Sequence, residues 1–212
     1  MRAVIFDLWD TLVEWPVAEA DVLRDRLATL AGAGEDEFAR RWEDSYRATQ
    51  IGPLAEVYRR IGVPEEHVER EIAARHDFGR RALRPRPGAL AVLAKLRDRG
   101  LRLGLMSACS EEVPAVWPET ELAGLFDTET FSASCGLMKP DPEMYHHTAE
   151  ALGVEPSGCL FVGDGANDEL GGAARVGMTP VLYVPRAEPF WPSLAGWDGL
   201  RISTLEQVLE LF

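Results

Sequence analysis

Apolar residues fall into two kinds of run along this chain. Ala3 to Phe6, Leu101 to Met106, Cys159 to Val162 and Val181 to Val184 are short unbroken stretches bounded by turn or polar residues, and they predict strands buried on both faces. Thr128 to Phe131 predicts a weaker fifth strand. Other segments carry apolar residues at helical spacing. Leu90, Leu93, Ala94 and Leu96 lead to Gly100, and Met144, Thr148, Ala151 and Leu152 lead to Gly153, glycine being a favoured helix terminator. Strands alternating with helices predict an α/β fold, a Rossmann-like parallel sheet with helices on both faces.

Residues 14–85 depart from that alternation. Val22, Leu23, Leu27 and Leu30, then Phe38, Trp42 and Tyr46, then Leu54, Val57, Tyr58 and Ile61 read as successive helices with no strand-like run. We expect a helical insert at 14–85 in a core made of residues 1–13 and 86–212. Glu14-Trp15-Pro16 and Arg84-Pro85-Arg86-Pro87-Gly88 are the expected hinges, since proline stiffens a linker and disfavours helix before it.

At 212 residues and 46% hydrophobic content the chain can bury a real core. Its formal charge of −13 argues against a nucleic-acid partner or an anionic membrane surface held by bulk electrostatics. The first apolar run is broken by Asp7 and Asp10, so it lacks a signal-peptide core, and a cytoplasmic protein without a membrane span is expected. Cys109, Cys135 and Cys159 share no metal-binding or paired spacing and predict buried free thiols. Charge is uneven, because residues 14–85 hold 15 acids and 12 arginines while lysine occurs only at Lys95 and Lys139.

Ligands of an open parallel sheet bind outside the carboxyl ends of its strands, and here those ends are polar. The first strand runs into Asp7-Leu8-Trp9-Asp10-Thr11, the second into Ser107-Ala108-Cys109-Ser110, and the fourth into Gly163-Asp164-Gly165-Ala166-Asn167-Asp168. Asp7 and Asp164 would share one crevice, where two carboxylates stay ionised together only if a cation such as Mg²⁺ compensates them. Lys139 precedes a helix opened by Pro142 and could bring its ammonium there, while Ser107 and the backbone N–H groups after it, Ala108 first, could cradle an oxyanion.

These four motifs, in this order, resemble the haloacid dehalogenase (HAD) superfamily with a small helical cap of the first type. The resemblance implies that residues 14–85 are the cap. It also implies that Asp7 is the nucleophile with Thr11 in the same motif, that Ser107 and Lys139 bind the charge of the reacting group, and that Gly163, Asp164 and Asp168 form the last motif. For phosphate-cleaving relatives it implies an aspartyl-phosphate intermediate and Mg²⁺ held by Asp7, the Trp9 carbonyl, Asp164 and Asp168. The expected function is a Mg²⁺-dependent phosphohydrolase acting on a small phosphorylated metabolite, with Trp9, Ala108, Arg40 and Arg41 in contact with the substrate and Arg47 as a further cap candidate.

One position departs from the family pattern. Trp9 stands where the second Asp of the first motif normally moves a proton, and indole cannot do so near neutral pH. Asp10, one residue later, is expected to cap or hinge rather than replace it. The substitution keeps two alternatives open. Family 2-haloacid dehalogenases carry an aromatic residue there, use the same Asp on carbon without a metal and place an arginine in the cap; a non-catalytic HAD-like binding domain would need no proton carrier. Phosphonate-cleaving relatives need a cap lysine, which residues 14–85 lack. Trp42, Tyr46 and Tyr58 are expected in the core of the insert, and His146 and His147 on a solvated helix face. Trp191 and Trp197 are expected to pack over the sheet edge, with a homodimer contact through Pro185 to Trp197 left open.

Overall fold

The computed structural model describes residues 1–185, 191, 194 and 196–212. Six parallel strands make one sheet in the order β3-β2-β1-β4-β5-β6. They are β1 (Ala3–Phe6), β2 (Arg102–Ser107), β3 (Thr128–Phe131), β4 (Cys159–Gly163), β5 (Thr179–Tyr183) and β6 (Leu200–Ile202). The five strands expected from the apolar runs are present with ends shifted by at most two residues. The sixth was not expected, because it is a three-residue edge strand in which only Ile202 is buried.

Six helices separate β1 from β2: α1 (Val17–Ala31), α2 (Glu35–Asp44), α3 (Tyr46–Ile51), α4 (Leu54–Ile61), α5 (Glu65–Ala82) and α6 (Ala89–Asp98). Further along, α7 (Glu112–Val116) precedes β3, α8 (Ser132–Cys135) and α9 (Pro142–Leu152) precede β4, and α10 (Glu169–Arg175) precedes β5. Alternate residues of a strand face opposite sides, so each strand feeds two cores. Val4, Phe6, Leu103, Leu105 and Val162 pack with Val92, Leu93 and Leu96 of α6 on one face. Ala3, Ile5 and Phe161 pack with Met144, Tyr145 and Leu152 of α9 and Leu170 of α10 on the other. Gly104 of β2 lets α9 come close, since a Cβ there would lie 3.0 Å from Leu152 Cδ1 and 3.2 Å from Ile5 Cγ1.

Helices α1 to α5 gather a cluster of their own around Leu27, Phe38, Leu54, Val57, Tyr58 and Ile61. The two connections to the sheet run side by side: Val13 bridges Pro85 in antiparallel fashion, and the Arg86 N–H donates to the Leu12 carbonyl at 2.7 Å. The insert also leans on the sheet domain. Arg75 of α5 pairs with the buried Glu112 of α7 at 2.9 Å, and the Ser132 hydroxyl at the start of α8 donates to the Gln50 carbonyl of α3 at 2.6 Å. Among the described residues no helix is long and apolar enough to cross a membrane.

Candidate active site

The strand order turns back on itself between β1 and β4, and at such a switch point the loops after the two strands splay apart to leave a crevice. Asp7 follows β1, and its N–H continues the ladder to the Val162 carbonyl at 2.9 Å, which fixes its backbone against β4. Asp164 follows β4. Glu169, the first residue of α10, completes a buried trio whose carboxylate oxygens lie within 4.8 Å of one another. The Glu169 Oε1 accepts the Gly165 N–H at 2.9 Å, and a Cβ at position 163 would lie 2.1 Å from that oxygen, so glycine there makes room for the carboxylate.

Lys139 enters from the loop before α9 and donates from Nζ to both Asp7 Oδ1 and Glu169 Oε2. The Asp164 oxygens are aimed from two sides, Oδ1 by the Ala166 N–H at 3.1 Å and Oδ2 by the Trp191 indole N–H at 2.8 Å. Two of the three carboxylates therefore pair with one ammonium. Burial raises the Asp7 carboxyl above the usual carboxylate range; Lys139 pulls it down and Asp164 pushes it further up. Burial likewise pushes Glu169 up to about 8, with Lys139 opposing and Asp7 and Asp164 reinforcing. For Lys139 burial works toward the neutral form, but Asp7 and Glu169 outweigh it and hold the ammonium charged.

Above this cluster opens a cavity of about 860 Å³. Its walls include Ala108 from the sheet side, Trp9 from the turn after β1, Trp15 and Arg86 from the two connecting segments, and Tyr46 and Arg75 from the insert. The Trp9 ring meets Trp15 edge-on, and Trp15 meets Phe78 of α5 with centroids 5.5 Å apart. The Arg75 guanidinium lies 4.9 Å from the Phe78 ring centroid and also reaches Ser110 Oγ at 3.3 Å. The Tyr46 hydroxyl accepts a hydrogen bond from the Asn167 side-chain amide at 2.8 Å, and burial pushes it above the usual tyrosine range. The Ser107 and Thr11 hydroxyls are fully buried, Ser107 next to the Cys109 thiol.

The structure brings Asp7, Lys139 and Asp164 together and sets Ser107 at the end of the neighbouring β2. It does not bring Asp168 to them. Asn167 and Asp168 both take left-handed backbone angles, φ 51° and 58°, which turn the Asp168 side chain outward to Arg175 at 2.8 Å and present Glu169 in its place. Arg40 and Arg41 are likewise elsewhere: Arg40 bonds the Asp36 carbonyl of its own helix, and Arg41 bonds Glu37 and the Ile61 carbonyl. Arg47 pairs with Asp141 at 2.9 Å on the surface. The cavity arginines are Arg75 and Arg86, which sequence reasoning missed because only the packing of α5 and the pairing of the hinge segments bring them in.

Tyr46 was expected in the core of the insert and instead faces the cavity, whereas Tyr58 is buried and Trp42 stacks on Phe38. Asp10 ties the two connecting segments together, with φ 57° and a carboxylate that accepts from the Trp15 N–H at 3.1 Å and from Arg86 at 3.5 Å. His146 and His147 are exposed, and the three cysteines are free, Cys109 and Cys159 buried and Cys135 half-buried. Trp191 does more than pack, through its bond to Asp164; most of the surrounding stretch considered for a dimer contact, residues 186–190, 192, 193 and 195, lies outside the described residues.

Residues 1–177 match the family model of the haloacid dehalogenase-like hydrolases, and the chain belongs to that family of enzymes. It is 28% identical over 195 residues to a glyceraldehyde 3-phosphate phosphatase of Methanopyrus kandleri, covering 85% of this chain and 83% of that one. It is 33% identical over 197 residues to a phosphatase of Mycobacterium tuberculosis, covering 86% and 87%. A (S)-2-haloacid dehalogenase of Burkholderia cepacia is 26% identical over 206 residues, covering 89% and 85%. The crystal structure of a HAD phosphatase from Thermococcus onnurineus shares the fold with a TM-score of 0.74 at 22% identity, covering 100% of this chain and 97% of that one. Relatives named as phosphatases support a phosphohydrolase.

Proposed function

We propose that this chain is a Mg²⁺-dependent phosphohydrolase that acts on a small phosphorylated metabolite through an aspartyl-phosphate on Asp7. The observation that carries the reading is the trio of buried carboxylates, Asp7, Asp164 and Glu169, in which Lys139 is the one cation paired with them among the described residues. Such a cluster leaves excess negative charge in a place that must receive an anion, and oxygen-rich, acidic sites of this kind suit Mg²⁺. The donor set fits that ion: Asp7, Asp164 and Glu169 would hold it with the Trp9 carbonyl, and when bound it supplies charge compensation for the phosphoryl oxygens. The same cluster disfavours the dehalogenase reading, because without a metal the buried Asp164 beside Asp7 would repel an anionic haloacid.

In the proposed reaction an Asp7 carboxylate oxygen attacks phosphorus and the ester oxygen departs; water then attacks the acyl phosphate, releasing phosphate and restoring Asp7. Lys139 neutralises charge on Asp7 before attack and on the phosphoryl group after it. The buried Ser107 hydroxyl offers a further donor to a phosphoryl oxygen. Residues 14–85 would act as the cap over the core of residues 1–13 and 86–212, excluding water from the crevice. The relative named for glyceraldehyde 3-phosphate fits a substrate of metabolite size, and the three free thiols fit the cytoplasm. The test is phosphate release from phosphorylated metabolites and halide release from 2-haloacids, each with Mg²⁺ and with excess chelator. Halide release without metal and no phosphate release would replace this reading with the dehalogenase one.

A further inference from the structure

A departing alkoxide needs a proton, and the nucleophile cannot supply it. Most acidic groups on the cavity wall are engaged otherwise. Asp10 accepts from the Trp15 N–H and Arg86, Glu112 holds Arg75, and Glu19 pairs with Arg81 at an exposed rim. Burial pushes the Cys109 thiol far above its usual range. Asp164 and Glu169 belong to the acidic cluster beneath.

The hydroxyl of Tyr46 is placed differently. It projects from the first residue of α3, on the insert side of the cavity, while Asp7 lies on the sheet side. In-line displacement sends the leaving oxygen away from the attacking carboxylate, hence toward the insert. Asn167, on the loop between β4 and α10, donates its amide hydrogen to the Tyr46 oxygen, so the hydroxyl's own hydrogen is directed away from Asn167 and remains available to an acceptor in the cavity.

We propose that Tyr46 is a catalytic residue, the proton donor to the leaving oxygen, held in orientation by Asn167; this rests on the phosphohydrolase reading above. As the bond from phosphorus to the ester oxygen breaks, that oxygen takes the Tyr46 proton and leaves as an alcohol, and the phosphoryl group stays on Asp7. The tyrosinate then takes a proton from the water that attacks the aspartyl phosphate, and phosphate leaves with the water's oxygen. Asp7 and Tyr46 both return to their starting forms. The Asn167 amide and the Lys139 charge favour the transient tyrosinate, while Asp7 and Glu169 oppose it.

The test is kcat/KM for the full chain with Mg²⁺ across phosphate monoesters of graded leaving-group pKa, from nitrophenyl to simple alkyl, in wild type and Tyr46→Phe. General acid catalysis is typically worth about 10²- to 10⁴-fold, so Tyr46→Phe should lose activity on that scale with alkyl esters and keep most of it with nitrophenyl phosphate. Asn167→Asp, which tolerates the left-handed backbone but replaces the amide donor by an acceptor, should show the same selective loss. Equal losses across the series, or none, would overturn the assignment and leave the phosphohydrolase standing. A wild type that releases phosphate from no ester would overturn the phosphohydrolase reading, and this inference with it.

Discussion

Trp9 meets Trp15 edge-on, with ring centroids 4.8 Å apart and an interplanar angle of 89°. The residue two places after Asp7 is thereby committed to an aromatic stack, in which Trp15 passes the contact on to Phe78 of α5. Losing a half-buried indole from this stack should cost about 2 kcal/mol, below the range for a fully buried aromatic, so Trp9→Asp should unfold at lower urea than wild type. The same substitution returns a titratable group beside Asp7. In a Tyr46→Phe background it should raise kcat/KM on alkyl phosphates by about tenfold or more while leaving nitrophenyl phosphate nearly unchanged. No selective gain in the double variant would show that position 9 cannot aim a proton toward the leaving group.

Metal binding can be read without turnover. A ligand that binds only the folded state stabilises it by about 2.7 kcal/mol at 100 times its Kd, so Mg²⁺ should raise Tm in wild type. Asp164→Asn and Glu169→Gln should reduce that increment, whereas Asp168→Asn, whose side chain pairs with Arg175 outside the cluster, should not. An increment lost in Asp168→Asn and kept in Glu169→Gln would reverse the assignment of the acidic cluster.

The pH dependence of that increment has a definite sign. Glu169 titrates at about 8 in the metal-free folded chain against an ordinary 4.5, so between these values the folded state holds more protons than the unfolded one. Its contribution to stability is fully present below about 4.5 and is lost as pH rises through about 8. Asp7 is shifted in the same direction. Mg²⁺ competes with those protons, so its effect on Tm should be larger at pH 8 than at pH 6. Thermal unfolding at both pH values, with and without Mg²⁺, checks this; an increment that shrinks with rising pH would contradict it.

Arg75 and Glu112 tie the insert to the sheet domain through a pair that is largely removed from solvent. Taking away the guanidinium leaves Glu112 buried and uncompensated, so Arg75→Met should destabilise the protein by about 3 kcal/mol, and adding Glu112→Leu should recover much of the loss. A urea double-mutant cycle measures the coupling. Arg40→Ala and Arg41→Ala, whose side chains bond their own neighbourhood in the insert, should leave kcat/KM unchanged.

Much of the fold was legible because buried parallel strands are written as unbroken apolar runs, and Asp7, Ser107 and Asp164 could be placed because each ends or follows a strand, Lys139 because it lies just before a helix opened by Pro142. Local pattern failed where position depends on a twist or a distant partner. Two consecutive left-handed residues decide that Glu169 and not Asp168 turns inward, and the sequence Asn167-Asp168-Glu169 shows two adjacent acids without showing which. A usable signal was present in Leu170-Gly171-Gly172-Ala173, a small and apolar run that packs on the sheet and puts the residue just before it over the strand end. The arginines near Tyr46 were misplaced because helical spacing tells which residues share a face, not which face meets the cavity. Strand β6 was missed because two of its three residues are exposed.

The most direct measurement of the central claim is phosphate release from a panel of phosphorylated metabolites by wild type and Asp7→Asn at fixed Mg²⁺. The substitution keeps the side chain's shape and removes its anionic nucleophile, and circular dichroism with Tm establishes that the fold is intact. The account predicts Mg²⁺-dependent release by wild type that falls by several orders of magnitude in Asp7→Asn. Undiminished release by the folded Asn variant, or by wild type in excess chelator, would contradict it.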